Sequence, residues 1–159
     1  MSKSSIKLSR QFLFENHVHF LALGFGSGLA PKAPGTFGTL AGLPFVLLMP
    51  YVTNMHYAAL IAIFSLWGIY LCGKTAHDAQ VHDHGSIVWD EIVGFMITMF
   101  LSPIAWQTVL TGFILFRVFD IIKPWPISYV DKHCHGGLGI MLDDILAGLA
   151  AFAVMHFIF

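Results

Sequence analysis

Long apolar runs alternate along this chain with short charged ones. From Ala33 to Gly73 there is no Asp, Glu, Lys or Arg, and the middle of the stretch, Tyr51 to His56, carries Thr53, Asn54 and His56. That pattern predicts two apolar helices, about Thr36 to Tyr51 and about Tyr57 to Gly73, joined as a hairpin by a polar turn. Lys74 to Glu91 follows as a charged loop, after which Ile92 to Phe116 is again free of charge. Ser102 and Pro103 interrupt this second run near its middle, so it is either one kinked span or two short helices folded back on each other. Arg117 and Asp120, with Lys123 a further three residues on, fall on one face of a helix that Pro124 and Pro126 then stop. The last apolar run, Ile145 to Phe159, is opened by Asp143 and Asp144, where a helix N-terminus favours ionised carboxylates.

Composition turns these runs into a class. Hydrophobic residues make up 57% of 159 and charged ones 11%, with a mean hydropathy of +0.75; a soluble domain carries about 25% charged residues. The expectation is a single domain over residues 1–159: an all-α, multi-helix integral membrane protein of helical hairpins with one charged face. At the N-terminus, Lys3, Lys7 and Arg10 precede a stretch broken by Glu15, Asn16, His17 and His19. This is too polar for a signal-peptide core, and it predicts an amphipathic surface helix over residues 1–23. The positive-inside bias decides between the two readings of Ile92 to Phe116. Folded back, the second hairpin leaves all eight Lys and Arg residues on one side, whereas a single span would set Arg117, Lys123 and Lys132 against the other five. Arms of about 18 Å are short for a hydrocarbon core of about 30 Å, so this hairpin is expected to be shielded by protein or only partly inserted. A net charge of −1 speaks against nucleic-acid binding. Cys72 and Cys134 form neither a disulfide framework nor a zinc motif.

Three segments therefore meet on one face: Gly24 to Thr36, Lys74 to Glu91, and Arg117 to Asp144. The first, GFGSGLAPKAPGT, turns backbone N–H groups toward an anion, with Lys32, Ser27 and Thr36 adding donors and Gly35 allowing close approach. Its spacing is neither GxGxxG nor a Walker A motif. Asp90 and Glu91 close the second segment, Asp143 and Asp144 the third, and Asp120 adds a fifth carboxylate against Arg117 and Lys123. Unpaired carboxylates beside an apolar layer are costly, so the excess of acid implies a bound cation. Oxygen donors suit a hard ion such as Mg²⁺. An anion loop joined to a carboxylate cluster reads as metal-assisted phosphate chemistry. His133, Cys134 and His135 are adjacent and poorly spaced to chelate one ion, and Cys134 lacks the Arg six residues on that a Cx5R loop needs. No DxDx[TV] motif is present either.

In GSGLAPKAPGTFGTLAGLP (26–44), VHDHGSIVWDEIVG (81–94) and FRVFDIIKPWPISYVDKHCHGGLGIMLDDILAG (116–148) the sequence closely resembles the bacterial phosphatidylglycerophosphatase A family. The resemblance implies a Mg²⁺-dependent, multi-pass enzyme of the inner membrane, its active site facing the cytoplasm. Such an enzyme removes the terminal phosphate of phosphatidylglycerophosphate to leave phosphatidylglycerol. Cys134 is not part of the family pattern. Direct attack of water is expected, with Asp90, Glu91, Asp120, Asp143 and Asp144 supplying metal ligands or the base. Lys32, Arg117 and Lys123 with the Gly-rich loop (Ser27, Gly35, Thr36) would neutralise the phosphoryl group. The alternative is a small membrane transporter or binding protein for an ion or phosphorylated solute, which would line a path with ionisable residues at membrane depth. Homo-oligomerisation is left open.

Overall fold

The computed structural model describes residues 10–81 and 84–159, and among them there is no β-strand. Two short helices, α1 (Arg10–Glu15) and α2 (His17–Ala22), lead into a 3₁₀ segment at Gly24–Leu29. Next come α3 (Pro34–Ala41), α4 (Leu43–Val46) and a 3₁₀ turn at Met49–Tyr51. The body of the protein is α5 (Asn54–Asp78), α6 (Trp89–Met99), α7 (Trp106–Ile122), α8 (Ile127–His133) and α9 (Gly136–Ile158).

Three expected elements come out differently. The first arm of the first hairpin is not one helix over 36–51. It breaks into α3, α4 and the 3₁₀ turn, because Pro44 and Pro50 each sit in the first turn of a new segment, where a missing N–H costs nothing. Its second arm, α5, is longer than expected at both ends. Thr53 caps it by accepting from the His56 N–H at 3.3 Å, and it runs on to Asp78 through an i,i+4 Lys74–Asp78 pair. The surface helix expected over residues 1–23 is, in its described part, two helices parted at Asn16, whose side chain accepts from the Val18 N–H at 3.0 Å. α2 docks on α5 through buried His19, which stacks on Phe12 and hydrogen-bonds Thr75 Oγ1 at 3.0 Å. Lys3 and Lys7 lie outside the described residues.

The second apolar run does fold back. α6 and α7 are antiparallel: Gly112 of α7 meets Met99 of α6, while five residues on, Arg117 reaches Glu91. The chain turns between them at Leu101, which takes a positive φ of 61°. All 11 residues of α6 are buried, so this helix of about 16 Å is sheathed by protein, as its shortness requires. Ile92, Phe95, Met96 and Met99 are almost wholly removed from solvent, each worth about 1.5–3 kcal/mol of burial. Trp89 anchors the helix to α5 by donating its indole N–H to the Phe64 carbonyl at 3.1 Å.

α9 is the axis on which the others pack. α5 runs antiparallel to it, with Gly73 against Gly137 and Gly68 against Met141. α6 runs parallel to it, with Gly94 against Gly148 and Phe100 near Phe152. At the Gly94–Gly148 crossing the two backbones all but touch, since a Cβ built on Gly148 would lie 2.6 Å from the Gly94 carbonyl oxygen. Thr98 ties the crossing by donating to the Gly94 carbonyl at 2.9 Å, with the Gly148 carbonyl 3.4 Å away.

Gly148→Ala should therefore push α9 off α6. We expect thermal unfolding of the purified protein to show a loss of about 1–3 kcal/mol, the usual cost of overpacking, together with loss of any activity that depends on the paired helix ends. Leu149→Ala, next door but half-exposed, should change stability far less. An unaltered unfolding temperature for Gly148→Ala would show that the crossing is not tight.

Candidate active site

The register of the α6–α9 crossing creates the site. One turn before Gly94 is Asp90, and one turn before Gly148 is Asp144, so the two parallel helices bring these carboxylates together with Glu91. Oxygen atoms of Asp90, Glu91 and Asp144 lie within 4.8 Å of one another. Asp90 and Glu91 sit in the first turn of α6, as expected. Asp143 and Asp144 do not open a helix. The chain turns at Gly136, with φ +70°, and α9 starts there, which leaves both acids two turns inside. The helix dipole fades within the first turn and so does not account for them. Packing against α6 and α7 places them.

Around the three acids stand the other predicted residues. Arg117 Nη1 bonds Asp120 Oδ2 at 2.5 Å and lies 3.9 Å from Glu91 Oε1. Gly35, in the first turn of α3, presses on this pair; a Cβ there would stand 2.5 Å from Glu91 Oε1 and 3.0 Å from the Arg117 guanidinium nitrogens. The N-terminal end of α3 thus closes over the carboxylates, and any side chain at position 35 would intrude. Lys123 does not continue the Arg117–Asp120 helix face. It caps α7 in the left-handed region, with φ 46°, and its ammonium bonds both Asp143 and, at 2.6 Å, Asp131.

The remaining predicted donors are less engaged. Lys32 is exposed and forms no ion pair among the described residues. Thr36 is half-buried, and its N–H is taken by the Ala33 carbonyl at 3.0 Å. The Ser27 hydroxyl is buried beside Gly24 and has no hydrogen-bond partner among the described residues. His133 donates to the Tyr129 carbonyl of its own helix at 2.7 Å, and Cys134 is half-buried beside it. Neither joins a cluster of possible ligands among the described residues. Asp131 is the residue that sequence spacing missed. It lies eight positions beyond Lys123, and the only hint is the Pro124–Pro126 pair, which folds α8 back toward α9.

Five carboxylates crowd around two cations here, and the electrostatics record it. Glu91 lies outside the two long apolar helices. Burial, and then the charge of Asp144, push its carboxyl up to about 8. Fully buried Glu91 Oε2 and Asp144 Oδ2 have no hydrogen-bond partner among the described residues. Burial works against the charge on Lys123, but Asp131 and Asp143 outweigh it and raise the ammonium above its ordinary value. The donor set is all oxygen, close-packed and short of positive charge, which is what a small hard cation requires.

No solved structure matches this chain. The family model described as phosphatidylglycerophosphatase A matches residues 20–159. The chain is 47% identical over 159 residues to phosphatidylglycerophosphatase A of Escherichia coli, covering 99% of this chain and 89% of that one. It is 49% identical over 142 residues to phosphatidylglycerophosphatase A of Haemophilus influenzae, covering 88% of this chain and 87% of the relative. A match that spans every residue assembled at the carboxylate cluster, at this identity and coverage, means that the chain belongs to the phosphatidylglycerophosphatase A family.

Proposed function

We propose that this chain hydrolyses the terminal phosphomonoester of phosphatidylglycerophosphate, giving phosphatidylglycerol and inorganic phosphate, with Mg²⁺ held at the carboxylate cluster. The observation that carries substrate and reaction is the family match over residues 20–159, which takes in all three segments that meet at the site. The metal reading is supported by the grouping of Asp90, Glu91 and Asp144 and by the unpartnered oxygens of Glu91 and Asp144.

On this reading Asp90, Glu91 and Asp144 hold the cation. When bound, a divalent ion supplies charge to the phosphoryl oxygens and lowers the pKa of water. Arg117, already against Glu91 and Asp120, presents its guanidinium to the same phosphoryl group. The first turn of α3, packed over the site at Gly35, turns the positive end of that helix dipole toward the gathered negative charge. Lys32, unpaired and exposed on the approach to α3, completes the neutralisation. Oxygen from water bonds to phosphorus as the bond to the glycerol oxygen breaks; a carboxylate of the cluster, Asp120 and Asp143 included, takes the proton of the attacking water, and that proton equivalent returns to the departing glycerol oxygen to give the alcohol.

The lipid substrate fits the outer surface. α5 and α9 are long and apolar enough to cross a bilayer, and α7 exposes the stripe Trp106, Leu110, Ile114 and Val118 at helical spacing. We read these faces as lipid-facing, with the charged end at the cytoplasmic side of the bacterial inner membrane. Exposed Trp125 and Tyr129 at that end suit the membrane interface. The acyl chains then stay in the bilayer while the headgroup reaches the cluster.

Purified protein in detergent micelles should release phosphate from phosphatidylglycerophosphate, lose that activity in excess chelator and regain it with Mg²⁺. Asp144→Asn should lower kcat by about 100-fold or more with little change in unfolding temperature. Full turnover in excess chelator would falsify the metal reading while leaving the substrate reading intact.

Lys32→Ala distinguishes a phosphoryl contact from a structural loop residue. A contact made as charge develops should lower kcat and kcat/KM together by about 100-fold, whereas simple attraction of an anionic lipid should raise KM alone. Both parameters within threefold of wild type in a folded variant would return Lys32 to the role of an ordinary surface residue.

A further inference from the structure

Asp131 takes no part in the carboxylate cluster, yet its position is tightly defined. It lies on α8, a seven-residue helix, and its Oδ1 accepts from Lys123 Nζ at 2.6 Å. The same ammonium donates to Asp143 Oδ2 on α9. One lysine therefore fastens three elements: the end of α7, α8 and α9. Lys123 does so from a left-handed backbone conformation, φ 46° and ψ 60°, that a non-glycine residue adopts at a cost. A strained lysine with both carboxylate partners in place reads as a strut, because its side chain must leave the α7 axis at that angle to span the gap.

The geometry points to Asp131 as a positioning residue for the cation site: it holds Lys123 in place, Lys123 ties the Asp143 carboxylate, and through Asp143 the strut fixes the turn of α9 that also carries Asp144. This rests on the reading of Asp90, Glu91 and Asp144 as the cation ligands. Asp143 is 8% exposed at its side chain and Lys123 26%, whereas Asp131, at 38%, forms the outer end of the strut. An exposed ion pair alone contributes little to stability. Its effect should appear instead where groups beyond the first ligands act, in the affinity of the site for metal. Without Asp131, Lys123 has one partner instead of two and is free to swing toward solvent, and Asp143 loses its fixed donor.

The test is Mn²⁺ binding to the full-length protein in detergent, followed by the electron paramagnetic resonance signal of free Mn²⁺, with unfolding temperature measured in parallel without metal. Asp131→Asn should weaken Mn²⁺ binding about tenfold with the metal-free unfolding temperature unchanged, and Asp131→Glu should restore most of the affinity. In a Lys123→Met background, Asp131→Asn should add nothing, since its effect passes through the lysine. Mn²⁺ affinity of Asp131→Asn equal to wild type overturns the inference alone, as does an equal loss in the Lys123→Met background. Absence of Mn²⁺ binding by the wild-type protein overturns both the inference and the cation reading beneath it. If Asp131→Asn fails to fold, the Glu variant decides: its affinity must lie near that of wild type and well above that of Lys123→Met.

Discussion

Two helices can share a set of carboxylates at their ends only if their backbones come close along their length, and in this chain glycine at both sides of the α6–α9 crossing permits it. Gly94 and Gly148 leave room for main-chain contact, Thr98 fastens it, and the parallel direction of the helices fixes the register. One helical turn earlier on each strand of that contact stand Asp90 and Asp144. Spacing by four residues on both sides thus converts a packing constraint into a chemical one: whatever sets the distance between the glycines sets the distance between the acids.

Everything charged at this end answers to that grouping. Left alone, three carboxylates so close together repel one another, and burial first, then the charge of Asp144, raise the Glu91 pKa to about 8. Arg117 offsets part of the excess from α7 and Lys123 another part from the turn that follows, but each is shared with a further acid, Asp120 or Asp143. The charges of Arg117 and Lys123 are thus shared with acids at the rim while the centre stays short of positive charge. The burial of α6 sharpens the imbalance, because little solvent reaches its first turn to screen it.

Much of this was legible in the sequence, and the parts that were not share a cause. Charge-free runs announced the helices, the Ser102–Pro103 break together with the placement of Lys and Arg announced the fold-back of α6 on α7, and the two hairpins announced the convergence of the three segments between them. Local backbone chemistry was harder to read. Hydropathy over 36–51 is continuous, yet Pro44 and Pro50 cut it into pieces. Asp143 and Asp144 look like the start of a helix by charge, yet the turn at Gly136 sets that start two turns earlier. Within the site, Asp90, Glu91 and Asp144 follow from their positions beside apolar runs, while Asp131 depends on a chain reversal that spacing does not encode. Ser27 was singled out for its company of glycines, and its buried hydroxyl packs beside one of them, Gly24.

The sheathing of α6 separates the pressures that act on the outer surface of the protein from those that act on its reaction. The helix that carries two of the acids is buried among α3, α4, α5, α7 and α9, so the outward residues of its neighbours, such as Ile63, Leu66 and Tyr70 on α5 or Leu110 and Ile114 on α7, answer to the medium around the protein and not to the reaction. Their polarity is free to drift with that medium. A lineage could exchange oil for water at its periphery, residue by residue, while the interior kept its composition and its chemistry.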